Sequence, residues 1–371
     1  MTNTLSPVKR VAISTGGGDA PGLNAVIRAV VLSGLKRGWE IYGIRDGFHG
    51  LLLPERYPDG GLIRMTRDTV RGITHLGGTI LGTSNRNNPM QFLVKMPDGT
   101  TQEVDRTDEI VRAFGLHEID ALITVGGDGS LAIANVLMQK GLRVISVPKT
   151  IDNDLDKTDV TFGFDTAVAF ATEALDRLHT TAASHGRVMV VEVMGRYAGW
   201  IALNSGVSGS ADVILIPEIP YDINKVIEKI KQRDDTGARF TLVMVAEGAK
   251  PKDGHISVVE HESGRAERLG GIGEKVAHEI SSFSGKETRV VVLGHLLRGG
   301  SPTAFDRLIA LRLGAAAIRA LEENQSGVMV ALDPPQVKYV PIPEAIGKMK
   351  FVPVDCDTVQ TARDLGISFG D

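Results

Sequence analysis

Six short runs rich in valine and isoleucine, at 10–15, 121–125, 143–147, 187–193, 240–246 and 289–293, constrain the fold of this chain more than any other feature. They are too short to be buried helices, and glycine-bearing or polar turns close them. Between them, segments such as 22–36, 130–140, 165–179 and 223–233 repeat apolar residues at helical spacing. Strand, turn and helix repeated in this way is the rhythm of βαβ units, because parallel strands need a long crossover that is usually a helix. The expected class is α/β, with mostly parallel sheets covered by helices on both faces.

At 371 residues the chain exceeds a single hydrophobic core, which stops growing at about 250–300 residues, so two lobes are expected. The 43 glycines and 5% aromatic content suit many tight strand-to-helix turns. The stretch 54–109 contains Pro-Asp-Gly at 58–60 and again at 97–99, and reads as hairpins and an insertion over the first lobe. A polar run at 152–159 suggests a change of lobe near 155, with a return near 296. The chain would thus cross between lobes more than once.

The formal charge of −4 argues against a nucleic-acid binder, which needs a strongly basic face. No run reaches the roughly 18 apolar residues of a membrane span. Cys356 is the single cysteine and forms no internal disulfide, and MTNTLSPVKR lacks the apolar core of a signal peptide. The cytoplasm is the expected location.

Five polar clusters follow the strands. Ser14-Thr15-Gly16-Gly17-Gly18-Asp19-Ala20-Pro21-Gly22 lies between a strand and a helix that carries Asn24 and Arg28. Glycines let backbone N–H groups approach an anion, and a helix N-terminus favours one, so phosphate binding is the natural reading. Neither GxGxxG nor the Walker lysine pattern is present, and a glycine-rich turn alone is also a common structural device. In Val125-Gly126-Gly127-Asp128-Gly129-Ser130, Asp128 offers a carboxylate to Mg²⁺ and Ser130 can cap the helix or hold a phosphate, against the plainer reading of an Asp-Gly turn. In Pro148-Lys149-Thr150-Ile151-Asp152-Asn153-Asp154, an extended backbone would point Thr150, Asp152 and Asp154 the same way; Asp152 could then serve as a base, or the segment could be a surface Asx turn. Met194-Gly195-Arg196-Tyr197-Ala198-Gly199-Trp200 and Gly294-His295-Leu296-Leu297-Arg298-Gly299-Gly300 place arginines and a histidine where open α/β sheets bind ligands, with Arg289 starting the preceding strand. Each cluster is ambiguous alone. Five together, offering anion sites and carboxylates, point to a phosphoryl-transfer site.

In this order and spacing, the strings GGDAPGLN, GGDGS, PKTIDND, VEVMGRYAGW and GHLLRGGSP resemble the phosphofructokinase A family, and the resemblance runs from about residue 10 to Thr361-Ala362-Arg363. It implies two doubly wound Rossmann-like lobes with the active site between them, Mg²⁺ dependence and a homotetramer, a homodimer being the smaller alternative. The donor lobe would be 1–155 plus about 297–345, and the fructose 6-phosphate lobe about 156–296 plus 346–371. By the same resemblance Gly17, Arg86, Asp128, Gly129 and Ser130 hold the donor, Asp128 nearest the metal, and Asp152 takes the proton from the sugar 1-hydroxyl. Thr150, Asp152, Met194, Gly195, Arg196, Glu247, His295 and Arg298 resemble the fructose 6-phosphate site, and Arg196 also the cation on the transferring phosphoryl group. Arg187 and Arg289 are similar to residues that reach a neighbouring subunit's sugar phosphate.

Three departures from the family pattern bear on finer points. In the pyrophosphate-using branch an aspartate stands where Gly129 is and a lysine where Lys149 is, whereas the main ATP branch has glycine at both. A second carboxylate beside Asp128 would crowd and repel a nucleotide's α-phosphate, while Lys149 adds charge without obstruction, so ATP is the expected donor, with pyrophosphate or ADP as alternatives. Arg86 falls one residue later than usual, Asn85 intervening. His179 stands where allosteric bacterial members carry an arginine on an effector phosphate, although the acidic effector position is retained as Asp212. The rival readings are a lipid or NAD kinase, which would share only the GGDG-type loop, a dinucleotide oxidoreductase, which would need the Rossmann fingerprint, and a catalytically inactive regulatory subunit.

Overall fold

The computed structural model describes residues 7–84, 88–252, 254, 258–260 and 268–371. The chain divides into two compact units, one of Met1–Thr150, Leu155–Gly163 and Arg298–Lys348, the other of Ile151–Asp154, Phe164–Leu297 and Met349–Asp371. Around the lobe change expected near 155 the chain therefore crosses three times. Ile151–Asp154 belongs to the second unit, and Leu155–Gly163 returns to the first. There Phe162 bridges Lys149 in parallel, and the Asp159 N–H donates to the Leu332 carbonyl at 2.9 Å.

In the first unit, Val328–Asp333, Val144–Pro148, Ala121–Gly126, Arg10–Thr15 and Glu40–Ile44 run parallel in that order. Gln336–Pro341 and Leu62–Met65 close the two edges antiparallel. Side chains alternate across this sheet with a period of two. Val11, Ile13, Ile123, Val125, Ile145 and Val147 enter one core, while Ala12, Leu122, Val144 and Met329 enter the other. Helices Leu23–Lys36 and Ala304–Glu322 cover the first face. Thr107–Leu116 and Asp128–Gln139 cover the second. Burying each such valine, leucine or isoleucine stabilises by about 1.5–3 kcal/mol, which is why a sheet buried on both sides reads as continuous apolar runs.

The second unit has four parallel strands in the order Thr288–Val292, Val188–Val193, Thr241–Ala246, Val213–Leu215. Phe164–His185 and Trp200–Ser208 lie on one face, Ile223–Asp235 and Ile272–Ser284 on the other. The helix expected at 165–179 continues to His185, since nothing in Thr180-Thr181-Ala182-Ala183-Ser184 breaks it before Gly186. Both sheets are thus covered on two faces and mostly parallel, the α/β class expected. In the 54–109 stretch, the second Pro-Asp-Gly turns the hairpin Phe92–Lys95/Thr101–Val104, and Asp98 accepts from the Thr100 N–H at 2.9 Å. Among the described residues no helix is long and apolar enough to cross a membrane.

Candidate active site

In each unit, polar loops leave two adjacent parallel strands that send their following helices to opposite faces. That divergence opens a crevice at the strands' carboxyl ends, the usual ligand position in open α/β sheets.

In the first unit the diverging pair is Arg10–Thr15 and Ala121–Gly126. The Gly16 N–H donates to the Val125 carbonyl at 2.9 Å, tying one exit loop to the other strand. Gly17 has φ 75°, a left-handed conformation that glycine adopts without strain. Its N–H donates to the Ser84 carbonyl at 3.1 Å, and its carbonyl accepts from Thr83 Oγ1 at 2.6 Å. Lys149 is buried, and its ammonium donates to the Gly18 carbonyl, so its charge lies under this loop. Arg298 lies against the same glycine: a Cβ on Gly18 would stand 2.7 Å from Arg298 Nη1.

The second exit begins a helix, Asp128–Gln139, whose first two residues are exposed. The Ser130 and Leu131 N–H groups donate to the Gly127 carbonyl, at 2.9 and 3.0 Å, and this end of the helix carries the positive end of its dipole. Asp128 Oδ1 accepts from the Gly347 N–H at 3.1 Å. A Cβ on Gly129 would meet nothing within 4 Å, and its backbone is ordinary helix, so the fold itself does not require glycine there. Gly129 is open space beside an exposed carboxylate.

In the second unit the diverging pair is Val188–Val193 and Thr241–Ala246. The loops that leave them interlock. The Glu247 N–H donates to the Val193 carbonyl at 2.9 Å, and the Gly248 N–H to the Gly195 carbonyl at 3.1 Å. Gly195 has φ 139°, and a Cβ there would stand 2.9 Å from the Ala198 carbonyl oxygen. Met194, Gly195, Arg196 and Glu247 are therefore brought together, with the Arg196 guanidinium 5.2 Å from the Tyr197 ring centre. His295 is exposed in the turn Gly294–Arg298, which follows the strand on the other side of Val188–Val193.

Residues 150–154 are not extended. The chain bends at Ile151 and Asp152, and Asn153 has φ 53°, so the alternation argument for Thr150, Asp152 and Asp154 does not apply. Thr150 belongs to the first unit, where its carbonyl accepts from Thr161 Oγ1 at 2.7 Å, and Asp152 belongs to the second. Arg298, expected with the sugar-phosphate residues, falls in the first unit beside Gly18. Arg187 and Arg289 lie at the amino ends of Val188–Val193 and Thr288–Val292, the end opposite the loops just described. Both guanidiniums pair with Glu287, at 2.9 Å and 2.5 Å, and the Arg187 bond holds the Glu287 carboxyl below its ordinary range. Arg86 lies outside the described residues.

Asp212 is spent inside the fold: Arg233 pairs with it at 2.6 Å and the Leu242 N–H donates to it at 2.8 Å. Burial nonetheless pushes its carboxyl up. His179 Nε2 donates to the Gly209 carbonyl at 3.0 Å. Two further carboxylates, Glu192 buried and Glu218 half-buried, escape a reading of the sequence. Glu192 accepts from the Gly273 N–H at 2.8 Å, and Glu218 from the Gly199 and Val352 N–H groups. Burial raises both. A glutamate inside an apolar strand, Glu192, was the available signal for the first; Glu218 had none.

The phosphofructokinase family model matches residues 10–321. The chain is 48% identical over 371 residues to ATP-dependent 6-phosphofructokinase 2 of Clostridium perfringens, covering 99% of this chain and all of that one. It is 47% identical over 350 residues to pyrophosphate--fructose 6-phosphate 1-phosphotransferase of Amycolatopsis mediterranei, covering 93% of this chain and 97% of that one. The crystal structure of Pichia pastoris phosphofructokinase in the T-state superposes with a TM-score of 0.77 at 30% identity, over 99% of this chain and 38% of that longer one. With glycine loops at both strand divergences and likeness running the whole length of the sequence, the chain belongs to the phosphofructokinase family.

Proposed function

We propose that this chain is a 6-phosphofructokinase that transfers the γ-phosphate of ATP to the 1-hydroxyl of fructose 6-phosphate, giving fructose 1,6-bisphosphate. The observation that carries the choice of donor is the open face of Gly129 beside exposed Asp128. Overall identity leans the same way by little, relatives named for ATP standing at 47–50% and those named for pyrophosphate at 47%. A carboxylate at 129 would place a second negative charge within reach of a nucleotide's α-phosphate; glycine leaves that space to the ligand.

The donor half is the glycine loop around Gly17, with Asp128, Gly129 and Ser130, and Arg86 assigned to it by resemblance. The N-terminus of helix Asp128–Gln139 binds phosphate oxygens, the Gly16 and Gly17 N–H groups being taken by the Val125 and Ser84 carbonyls, and Arg298 and Lys149 add positive charge beside Gly18. No group of three or more acidic, histidine or cysteine side chains that could hold a metal is present among the described residues. One exposed carboxylate fits Mg²⁺ that arrives with the nucleotide, because Mg²⁺ keeps several waters and is shared between one or two carboxylates and the phosphates. Asp128 would hold it. When bound, Mg²⁺ neutralises charge on the phosphate oxygens.

The acceptor half is Thr150, Asp152, Met194, Gly195, Arg196, Glu247, His295 and Arg298. Asp152 takes the proton of the 1-hydroxyl as its oxygen attacks the γ-phosphorus. The bond to the bridging oxygen breaks, and ADP leaves. Arg196 stabilises charge on the phosphoryl oxygens in transit. Arg187 and Arg289, at the amino end of their sheet, would complete a neighbour's site in a homotetramer or homodimer. Such an enzyme would work in the cytoplasm.

Assays with ATP, ADP, GTP and pyrophosphate against fructose 6-phosphate, with and without Mg²⁺, test the donor. ATP with Mg²⁺ should give the highest kcat/KM; fast turnover with pyrophosphate and negligible turnover with ATP would overturn the choice. Lys149 favours that second reading, since it places a buried cation under the phosphate loop. Asp152→Ser should lose several orders of magnitude in turnover and still bind the sugar phosphate. A wild-type chain with no turnover to lose would mark an inactive regulatory subunit.

A further inference from the structure

Within the second unit, the segments carrying Asp152 and Arg196 are joined by a third stretch of chain, Lys350 to Val352. The Lys350 N–H donates to the Asp154 carbonyl at 2.9 Å, two residues from Asp152. The Lys350 carbonyl accepts from Trp200 Nε1 at 2.8 Å, four residues from Arg196. The Lys350 ammonium also lies 5.4 Å from the centre of the Trp200 ring. One peptide unit and its neighbours thus touch both segments.

Glu218 fastens the other end of this strap. Its Oε1 accepts from the Val352 N–H at 2.9 Å and from the Gly199 N–H at 3.0 Å, and its Oε2 lies 3.2 Å from the same Gly199 nitrogen. Gly199 is the residue before helix Trp200–Ser208, so the carboxylate satisfies an orphan donor and sits at the positive end of the helix dipole. The approach is close enough to need glycine. A Cβ on Gly199 would stand 2.4 Å from Ile216 and 3.0 Å from Glu218 Oε2.

We propose that Glu218 is a positioning residue for phosphoryl transfer: by clamping Val352 to Gly199 it holds the Lys350–Val352 strap, which fixes the segment bearing Asp152 against the loop bearing Arg196. This rests on the roles given to Asp152 and Arg196 above. A base and a cation serving one phosphoryl group must keep their spacing, and small displacements of reacting groups are costly in rate. Neither segment is otherwise regular structure, since residues 150–154 bend and 194–199 is a loop.

The test uses the full-length enzyme with Glu218→Gln, Trp200→Phe and the double variant, beside Asp152→Ser. Gln keeps one acceptor where the carboxylate had two, and Phe removes only the indole N–H. Each single variant should lower kcat about ten- to a hundredfold, with sugar-phosphate affinity changed less than about threefold. The double variant should lose less than the product of the two, because both release the same strap. Hydrogen exchange at the Lys350 and Val352 amides should speed up in both. If Glu218→Gln does not fold, Trp200→Phe with its exchange readout decides alone. Wild-type kcat in the folded variants, with Asp152→Ser inactive, would overturn the proposal. An active Asp152→Ser would instead overturn the role of Asp152 beneath it.

Discussion

The Ser130 hydroxyl fills the space that a side chain on Gly126 would need: a Cβ there would stand 2.1 Å from Ser130 Oγ and 2.4 Å from its Cβ. The same hydroxyl lies 2.8 Å from where a Cβ on Gly16 would be. One serine therefore packs both strand exits of the first unit. Gly126→Ala should destabilise by about 1–3 kcal/mol through overpacking. Adding Ser130→Gly should restore part of that loss in urea unfolding, since a Cβ on Gly126 also comes within 3.1 Å of the Gly16 carbonyl oxygen. A Gly126→Ala protein as stable as the parent would refute this packing.

Gly129, three residues on, should behave in the opposite way. Its Cβ space is open and its backbone helical, so Gly129→Ala should stabilise by roughly 0.5–1 kcal/mol. Gly129→Asp should fold normally, lower kcat/KM for ATP by about tenfold or more, and shift preference toward pyrophosphate, through repulsion of the α-phosphate. Unchanged donor preference in a folded Gly129→Asp enzyme would remove the basis for choosing ATP.

Glu192 supplies a pH signature. Burial raises its carboxyl above the ordinary glutamate value of 4.5, outweighing the N–H groups of Gly273 and Gly271 that lower it. A raised acid favours the neutral form in the fold, so its stabilising contribution is complete below 4.5 and is lost as pH rises through the folded pKa. Glu192→Gln cannot ionise. The Tm of the parent minus that of Glu192→Gln should therefore be larger in acid than at pH 8, and a difference that grows with pH would contradict the assignment.

Subunit sharing can be read by complementation. Arg289 sits at the amino end of its strand, away from the loop bearing Arg196, and is exposed in a pair with Glu287. Such exposed pairs contribute about 0–1 kcal/mol, so Arg289→Ala should fold normally. Its homomer and that of Asp152→Ser should each be nearly inactive. Hybrids formed by unfolding and refolding the two together should regain activity, because some sites would then have both residues intact. Inactive hybrids of confirmed mixed composition would place both residues in one chain's site.

The runs 10–15 and 121–125 were legible as strands because parallel strands buried on both faces are apolar throughout, and that pattern is local. The edge strands Gln336–Pro341 and Leu62–Met65 were not, since Gln336, Lys338 and Arg64 meet solvent within them and break the apolar run. Asp128, Gly129 and Arg196 stood out because they belong to five glycine-flanked polar clusters after strands, each ambiguous alone and hard to explain together as structure. The bend at 151–153 did not, because nothing in Ile151-Asp152-Asn153 forces Asn153 to positive φ.

The sequence by itself determined the α/β class and the glycine loops, each carried by residues within a strand–turn–helix unit, and the family, carried by the order and spacing of five such strings. Only the tertiary structure decided that Val11 pairs with Ala121, that Arg298 rests on Gly18, and that Glu218 clamps Gly199 to Val352. Pairings across 110, 280 and more than 130 positions depend on strand order and on where the chain re-enters each unit. No local pattern of side chains encodes them, because they are settled by which apolar faces find one another as the sheets assemble.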